Sequence, residues 1–209
     1  MAASIHTANE QQEKNMSKLT REDLMSLEEY DQARPEFRQK VMAHKKNRLV
    51  RLDEHAALYF EDRLTMQYQI QEMLRIEKIF DAAGIQEELD AYNPLIPDGS
   101  NWKATFMLEY PDVEERKRML ARLRGIEEKV WVRVGDRDKV YPIANEDLER
   151  TTEEKTSSVH FLRFELDEDM IAGARAGEPL SMGIDHPGYR VEVSPVAAET
   201  AASLVQDFD

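Results

Sequence analysis

The polar side chains between Phe60 and Phe80 are the residues of this chain whose types and spacing could do chemistry. Gln67, Gln71 and Arg75 recur every four residues, so a helix would place them along one edge. Amides and a guanidinium together offer several hydrogen-bond donors, which suits the binding of an anionic ligand. We therefore predict a ligand-binding edge, with the candidates Gln67, Gln71, Arg75 and, in the turn that follows, Asn93.

Carboxylates near this helix suggest a second chemistry, the binding of a divalent metal ion or a small polar ligand. The candidate metal ligands are Glu61, Glu72, Glu77, Glu109 and His160. Carboxylate oxygens and imidazole nitrogens are common metal ligands in proteins. The alternative, which we favour, is a buried network of salt bridges and amides that fixes the packing, because structural ion pairs generate the same pattern.

Arg75 needs a partner if the helix is covered, because an unpaired buried charge costs several kcal/mol. On a helix, Glu72 lies about 60° around the axis from Arg75 and Glu77 about 160° from it, so neither is an ideal pair. We therefore predict that Arg75 pairs with Glu109 or Glu61 from outside the helix.

Motifs of established chemistry are missing from the chain. The Glu-x-x-His motif of di-metal helix bundles is absent, and the five histidines form neither His-x-His nor His-x-x-x-His pairs. Glycine-rich phosphate loops and the G-x-S-x-G nucleophile motif are absent as well. His160 alternates with Val159 and Phe161 on a predicted strand, and we interpret it as an outward-facing structural residue.

The composition excludes several classes of function. The chain has no cysteine, which rules out disulfides, thiolate catalysis and any iron–sulfur cluster ligated by this chain. Its net charge is −14, and residues 1–60 are balanced, so the whole excess falls on residues 61–209. An acidic protein argues against nucleic acid as a ligand. No apolar run reaches the roughly 18 residues of a membrane helix, and no secretory signal is recognisable, so we expect a cytoplasmic protein.

The elements that would position these residues begin with a polar stretch over residues 1–16, which we predict to be a disordered tail. Residues 17–97 are predicted to form a helical part with a small β-ribbon. In chain order it contains a helix after the capping box at Thr20–Asp23, a helix that begins at Pro35, short strands at 48–53 and 56–61, and a long central helix that ends near Gly84.

Residues 98–209 show the order β-α-β-β-α-β, which is typical of ferredoxin-like domains. The predicted strands lie at 102–110, 129–134, 158–166 and 189–193. Helices follow Pro111 and Asp167, and a terminal helix is predicted over 196–208. We therefore predict an α+β fold in which the helical part packs on the ferredoxin-like part as one compact unit.

Several segments of the chain resemble one bacterial family, the domain of unknown function 3501 family. They are Phe60-Glu61, Gln71–Glu77, Tyr92–Pro97, Ala104–Glu109, Leu123–Ile126 and Ser158–Phe164. The resemblance covers nearly everything from residue 20 onward. It implies a gene neighbourhood of rubrerythrin-like proteins and iron–sulfur oxidoreductases, and hence a redox or peroxide-stress setting. It implies no mechanism.

Three hypotheses follow. The first is a non-catalytic accessory protein that acts beside an iron–sulfur oxidoreductase or a rubrerythrin-like protein. The second is a small enzyme or metal-binding protein that uses the carboxylates around Glu61, Glu72, Glu77 and Glu109. In that hypothesis Gln71 orients an anionic substrate together with Arg75. The third is a homodimer in which the two-stranded ribbon or the edge of the Trp102 strand pairs across a symmetry axis.

Overall fold

The computed structural model describes residues 18–209, so the tail predicted over 1–16 lies outside the described residues. Six α-helices are described: α1 (Leu27–Lys46), α2 (Arg63–Glu77), α3 (Ala82–Tyr92), α4 (Val113–Arg122), α5 (Glu168–Arg175) and α6 (Ala198–Leu204). Eight strands are described: β1 (Leu49–Arg51), β2 (Ala56–Phe60), β3 (Asn101–Leu108), β4 (Val130–Val134), β5 (Ile143–Ala144), β6 (Val159–Glu165), β7 (Leu180–His186) and β8 (Tyr189–Val193). The mixture of helix and antiparallel sheet confirms the α+β class.

The larger sheet has five antiparallel strands in the order β1-β2-β3-β6-β5. Its register places Val50, Leu58, Phe106 and His160 side by side across four strands. All four side chains are buried on the face that meets the other sheet. Because β2 pairs with β3, strands from the parts predicted as 17–97 and 98–209 share one sheet.

The smaller sheet has the order β4-β7-β8 and packs its apolar face against the larger sheet. The ferredoxin-like arrangement is therefore not confirmed, since β3 and β6 pair directly in one sheet while β4 and β8 lie in the other. Strand β7 was not predicted from the sequence, and it supplies the partner for both β4 and β8. A single four-stranded sheet would leave β7 without a place.

The helices at the start of the chain differ from the prediction at two points. Ser26 and Glu29 form a capping box that starts α1, and the helix continues through Pro35 instead of beginning there. The central helix α2 ends at Lys78, which adopts the left-handed conformation with φ 57°, and Gly84 lies inside α3. The C-terminal cap of α2 therefore falls on a lysine, six residues before the glycine that suggested it.

Helices α1 to α3 lie on the outer face of the larger sheet and form a second apolar cluster. Its buried members are Leu19, Met66, Ile70, Leu74, Leu89 and Ile96. Asp62 caps the start of α2 by accepting a hydrogen bond from the Thr65 amide at 2.9 Å. None of the helices in residues 18–209 combines the length and the apolar character needed to cross a membrane.

Candidate functional site

The three amides predicted to bind a ligand hold the backbone of residues 19–25 instead. Gln71 accepts a hydrogen bond from the Met25 amide at 2.6 Å and donates to the Met25 carbonyl at 3.3 Å. Asn93 contacts Leu19 in the same way, at 2.7 Å and 2.9 Å. The side chains of Gln71 and Asn93 thus each satisfy the backbone N–H and C=O of one residue, as a neighbouring strand would.

Gln67 completes this contact by donating to the carbonyl of Asp23 at 2.6 Å. Gln71 is fully buried, so its donor and acceptor must both be satisfied within the protein. The predicted edge of α2 exists, and it recognises a segment of the chain's own backbone. Its amides position the N-terminal segment over the apolar cluster of α2 and α3.

The predicted partner of Arg75 was wrong. Arg75 contacts Glu72 one turn earlier, at 3.4 Å, in a half-exposed position. Glu72 is held more closely by two residues of α1, accepting from the Tyr30 hydroxyl at 2.7 Å and from the Arg34 guanidinium at 2.7 and 3.0 Å. Hydrogen bonding by Arg34 lowers the pKa of Glu72 to about 2, against the opposing effect of burial.

The five candidate metal ligands are not brought together. Glu109 pairs with Arg51 at 2.8 Å, and Glu77 is exposed on the last turn of α2. Glu61 lies under α2 and accepts hydrogen bonds from two threonine hydroxyls. Throughout residues 18–209, no group of three or more histidine, aspartate or glutamate side chains is placed to hold a metal ion.

His160 faces the interior, which corrects the outward orientation predicted for it. It is fully buried beside Leu162 and Phe164 on the inner face of β6. Its Nδ1 lies 3.0 Å from the Asn145 amide, and its Nε2 lies 3.0 Å from the Ser157 carbonyl and 3.0 Å from the Thr156 hydroxyl. Burial lowers the pKa of His160 against the opposing effect of Glu127, and the Ser157 carbonyl is an acceptor for an Nε2–H donor, so we interpret the ring as a structural group.

The β2–α2 junction places two neighbouring carboxylates in two different cavities. Alternation along β2 directs Tyr59 and Glu61 to the outer face of the sheet, where a groove of about 590 Å³ lies beneath α1 and α2. Asp62 turns the other way and lines a polar cavity of about 220 Å³ beside the C-terminal residues. The junction is therefore our candidate functional site.

The floor of the groove is formed by strand residues of the outer face. Leu49, Tyr59, Thr105 and Phe161 lie in one register row, and Met107 pairs with Val159 in the next. Met42, Met66 and Leu95 supply apolar walls from the helical part. Ligand pockets are typically about 300–1,000 Å³ and mostly apolar with a few placed polar groups, and the groove has this character.

Three charged groups line the groove. Glu61 sits on its floor, only 8% exposed, with its two oxygens accepting from the Thr65 and Thr105 hydroxyls at 2.7 and 2.8 Å. Lys45 and Lys46, at the end of α1, stand at the rim, and neither forms an ion pair with any residue between 18 and 209. The groove thus combines an apolar floor, a cationic rim and one buried acceptor.

The polar cavity on the other side of the junction is built around Arg48, which is 2% exposed. Its guanidinium donates to the carbonyls of Phe60 and Glu61 at 3.0 Å each and to Asp207 at 2.6 Å. Asp62 lies 3.3 Å from the same guanidinium and is hydrogen-bonded to His44. Burial raises the pKa of Asp207 to about 6 despite the neighbouring cation.

Sequence reasoning missed this cluster, although Arg48 and His44 belong to a basic run that was visible near the end of α1. The missing signal was Asp207, which is 159 residues from Arg48 in sequence. All donor directions of the guanidinium are engaged by protein groups, since Ser203 occupies the remaining nitrogen at 3.3 Å. The cluster therefore has a structural role, in which it links the β1–β2 ribbon to the C-terminal residues.

Comparison with known proteins shows which family this chain belongs to. The sequence pattern of the family described as protein of unknown function (DUF3501) matches residues 18–208. The chain belongs to this family. A DUF3501 assignment confirms the resemblance found in the sequence, and it covers both the groove and the Arg48 cluster.

A solved structure supports the fold of this DUF3501 member. It is a crystal structure at 1.90 Å of a novel protein of unknown function from Burkholderia pseudomallei K96243, 54% identical to this chain with a TM-score of 0.88. The match covers 92% of this chain and 100% of that chain. No curated protein matches, so the functional argument depends on the geometry of the site.

Proposed function

We propose that this protein is a non-catalytic binding protein whose groove takes an amphipathic organic acid, a molecule with an apolar body and one carboxylate. The observation that carries the proposal is the combination of an apolar floor with two lysines at the rim that form no ion pair within residues 18–209. A ligand of this kind would cover the sheet residues and place its charge beside the lysines.

The apolar floor supplies the affinity. Leu49, Met107, Val159 and Phe161 are half-buried, so each retains apolar surface that a ligand could remove from water. Burial of apolar surface is worth roughly 25 cal/mol per Å², or about 0.8 kcal/mol for each buried CH₂ group. The groove volume of about 590 Å³ leaves room for a medium-length aliphatic chain.

The rim supplies the preference for an anion. The Lys45 ammonium lies 5.8 Å from the centre of the Tyr68 ring, and Lys46 is exposed beside it. Glu61 is already satisfied by Thr65 and Thr105, so it does not require a metal ion or a cationic ligand to balance it. The charge at the mouth of the groove is therefore positive although the whole chain is acidic.

The setting of this binding function remains a prediction that rests on the family resemblance. We propose a cytoplasmic accessory role beside an iron–sulfur oxidoreductase or a rubrerythrin-like protein, with the bound acid as the signal or cargo. The alternative of a metal-binding protein or enzyme on the central helix has less support. Glu72 and Glu109 are each paired with an arginine, and the Glu61 oxygens each accept a hydrogen bond from a threonine hydroxyl.

Binding of decanoate, measured by calorimetry and by the shift of the melting temperature, tests the proposal. We expect saturable binding to one site, and weaker binding of the neutral analogue decanol. The double variant Lys45→Glu/Lys46→Glu should bind decanoate roughly three- to tenfold more weakly, because an exposed charge pair is worth up to about 1 kcal/mol. Its affinity for decanol should be unchanged.

Two matched variants separate the groove from the rest of the surface. Met107→Trp should fill the groove and abolish binding of both decanoate and decanol, whereas Val113→Trp, on the exposed face of α4, should leave both unaffected. Lys117→Glu is the charge control, since this lysine is 68% exposed on α4. Equal effects of the groove variants and their controls would overturn the proposal.

A further inference from the structure

A second cavity adjoins the groove on the outer face of the larger sheet. It has a volume of about 200 Å³, and it shares Leu95 and Phe161 with the groove. Its far wall carries Lys103 of β3 and Arg163 of β6, which lie directly opposite each other in the sheet register. Lys103 and Arg163 therefore lie side by side at the wall of this cavity, which Asp90, Glu146 and Asp147 also line.

Lys103 is held in an unusual way for a surface lysine. Its side chain is only 12% exposed, and its ammonium donates to the Pro94 carbonyl at 2.7 Å. The nearest carboxylate, that of Asp98, is 3.9 Å away and 60% exposed, so it compensates the lysine charge weakly. Lys103 and its acceptor residue Pro94 both line the cavity.

The other charged groups near Lys103 do not cancel the effect of burial on its pKa. Arg163 faces it across the strands and is itself paired with two carboxylates, with Glu146 at 2.7 and 2.8 Å and with Glu165. Other charges nearby are Lys18 from the N-terminal segment, Asp90 from α3 and Asp147, whose carboxylate is occupied by Arg150. Burial, aided by Arg163 and Lys18, lowers the pKa of Lys103 against the opposing effect of Asp98 and Glu146.

We propose that Lys103 is a nucleophilic lysine that condenses reversibly with the carbonyl group of a small aliphatic aldehyde or ketone in this cavity. A desolvated lysine beside a second cation is an arrangement that activates the amine for this chemistry. The cavity offers apolar contact from Leu95 and Phe161 for the carbon chain, and Lys103 is one of its lining residues.

The reaction balances without a co-reactant. The neutral amine of Lys103 attacks the carbonyl carbon, and a proton moves from nitrogen to oxygen to give a carbinolamine. The hydroxyl oxygen then takes up a second proton, the C–O bond breaks, and water leaves as the nitrogen lone pair forms the C=N bond. Loss of the remaining N–H proton, which replaces the proton taken up, leaves a neutral imine. No electron transfer takes place, and addition of water reverses every step. This activity is independent of organic-acid binding in the groove, because it needs only the smaller cavity.

Reductive trapping of the full chain tests the proposal. The protein is incubated with propanal and sodium cyanoborohydride, which converts the imine to a stable propyl-lysine, and labelling rates are read by peptide mass mapping. At pH 7 we expect Lys103 to be labelled roughly threefold or more faster than Lys117, the exposed internal control, because a lysine with a lowered pKa has a larger neutral fraction. This excess should disappear near pH 11, where both amines are neutral.

Two variants distinguish labelling of the Lys103 amine from a purely structural effect at this position. Lys103→Arg should retain the fold and the contact with the Pro94 carbonyl but lose the added mass at this position. Arg163→Met should slow the labelling of Lys103, since the opposing cation is removed and Glu146 is released. Labelling of Lys103 no faster than Lys117 at pH 7, or an excess that persists at pH 11, would overturn the proposal.

Discussion

Replacement of Arg48 with methionine should destabilise the protein by about 3–5 kcal/mol, the range for breaking a buried ion pair by removing one partner. The change leaves the Asp207 carboxylate buried without its cation and removes the donors to the carbonyls of Phe60 and Glu61. Urea unfolding at pH 8, with the midpoint and slope both measured, gives the difference in the free energy of unfolding.

The same substitution at Arg51 is the matched control. Arg51 lies three residues away in the same ribbon and pairs with Glu109 at 2.8 Å, but the two side chains are 50% and 32% exposed. An exposed pair of this kind is worth about 1 kcal/mol or less. If both methionine variants lost the same stability, the role that we assign to burial of the Arg48 cluster would be wrong.

The loss of stability caused by replacing Arg48 should also depend on pH. The folded-state pKa of Asp207 is raised from its ordinary value of 3.8 to about 6. Between pH 3.8 and pH 6 the folded chain therefore binds more protons than the unfolded chain. Stability from this group is therefore present at low pH and is lost as the pH rises through 6. Without Arg48 a protonated Asp207 needs no counter-charge, so the variant should be less impaired at pH 5 than at pH 8.

The second large effect concerns Glu72, whose substitution by glutamine should cost about 2 kcal/mol at pH 7, after allowance for the partial exposure of Arg34. The pKa of Glu72 is depressed to about 2, so its stabilising contribution is present above its ordinary value of 4.5 and is lost as the pH falls through 2. The difference between wild type and Glu72→Gln should therefore shrink toward zero at pH 2.

Thermal unfolding followed by circular dichroism between pH 2 and pH 7 measures this trend. Glu77→Gln is the control, because Glu77 is exposed on the same helix five residues further on. It should leave the melting temperature nearly unchanged at every pH. A Glu72→Gln deficit that stayed constant down to pH 2 would show that the contact with Arg34 and Tyr30 acts through packing and shape, not through charge.

The elements themselves could be predicted because they depend on local chemistry. Alternating apolar residues predicted β3 and β6, and Asp167 caps α5 at the predicted place. Helix α4 was predicted to open at Pro111, and it begins at Val113 after the N-cap Asp112. The boundaries around α1 and α2 were less predictable: the capping box at Thr20 begins only a short 3-10 helix, Arg21–Asp23, and α1 begins after Ser26. Pro35 was tolerated within α1, where packing against α2 outweighs the lost hydrogen bond.

Sheet assembly could not be predicted in the same way. Strand β7 contains Gly183, and a glycine weakens the sequence pattern of a strand. The structure requires this glycine, because the Trp131 ring and the Val191 carbonyl lie where a side chain would stand. With β7 unrecognised, the remaining strands matched a ferredoxin-like order. The pairing of β3 with β6 and of β4 with β7 depends on contacts between residues far apart in sequence.

The sequence by itself determined the family, the α+β class and the polar edge of α2, because these follow from residue type and helical spacing. Only the tertiary structure decided what that edge does. Gln67, Gln71 and Asn93 bind the backbone of residues 19–25, and Glu72 binds α1. A side chain's type fixes which partners it can take, but its neighbours in space select among them, and here they direct the search for a ligand to the groove beneath the helix.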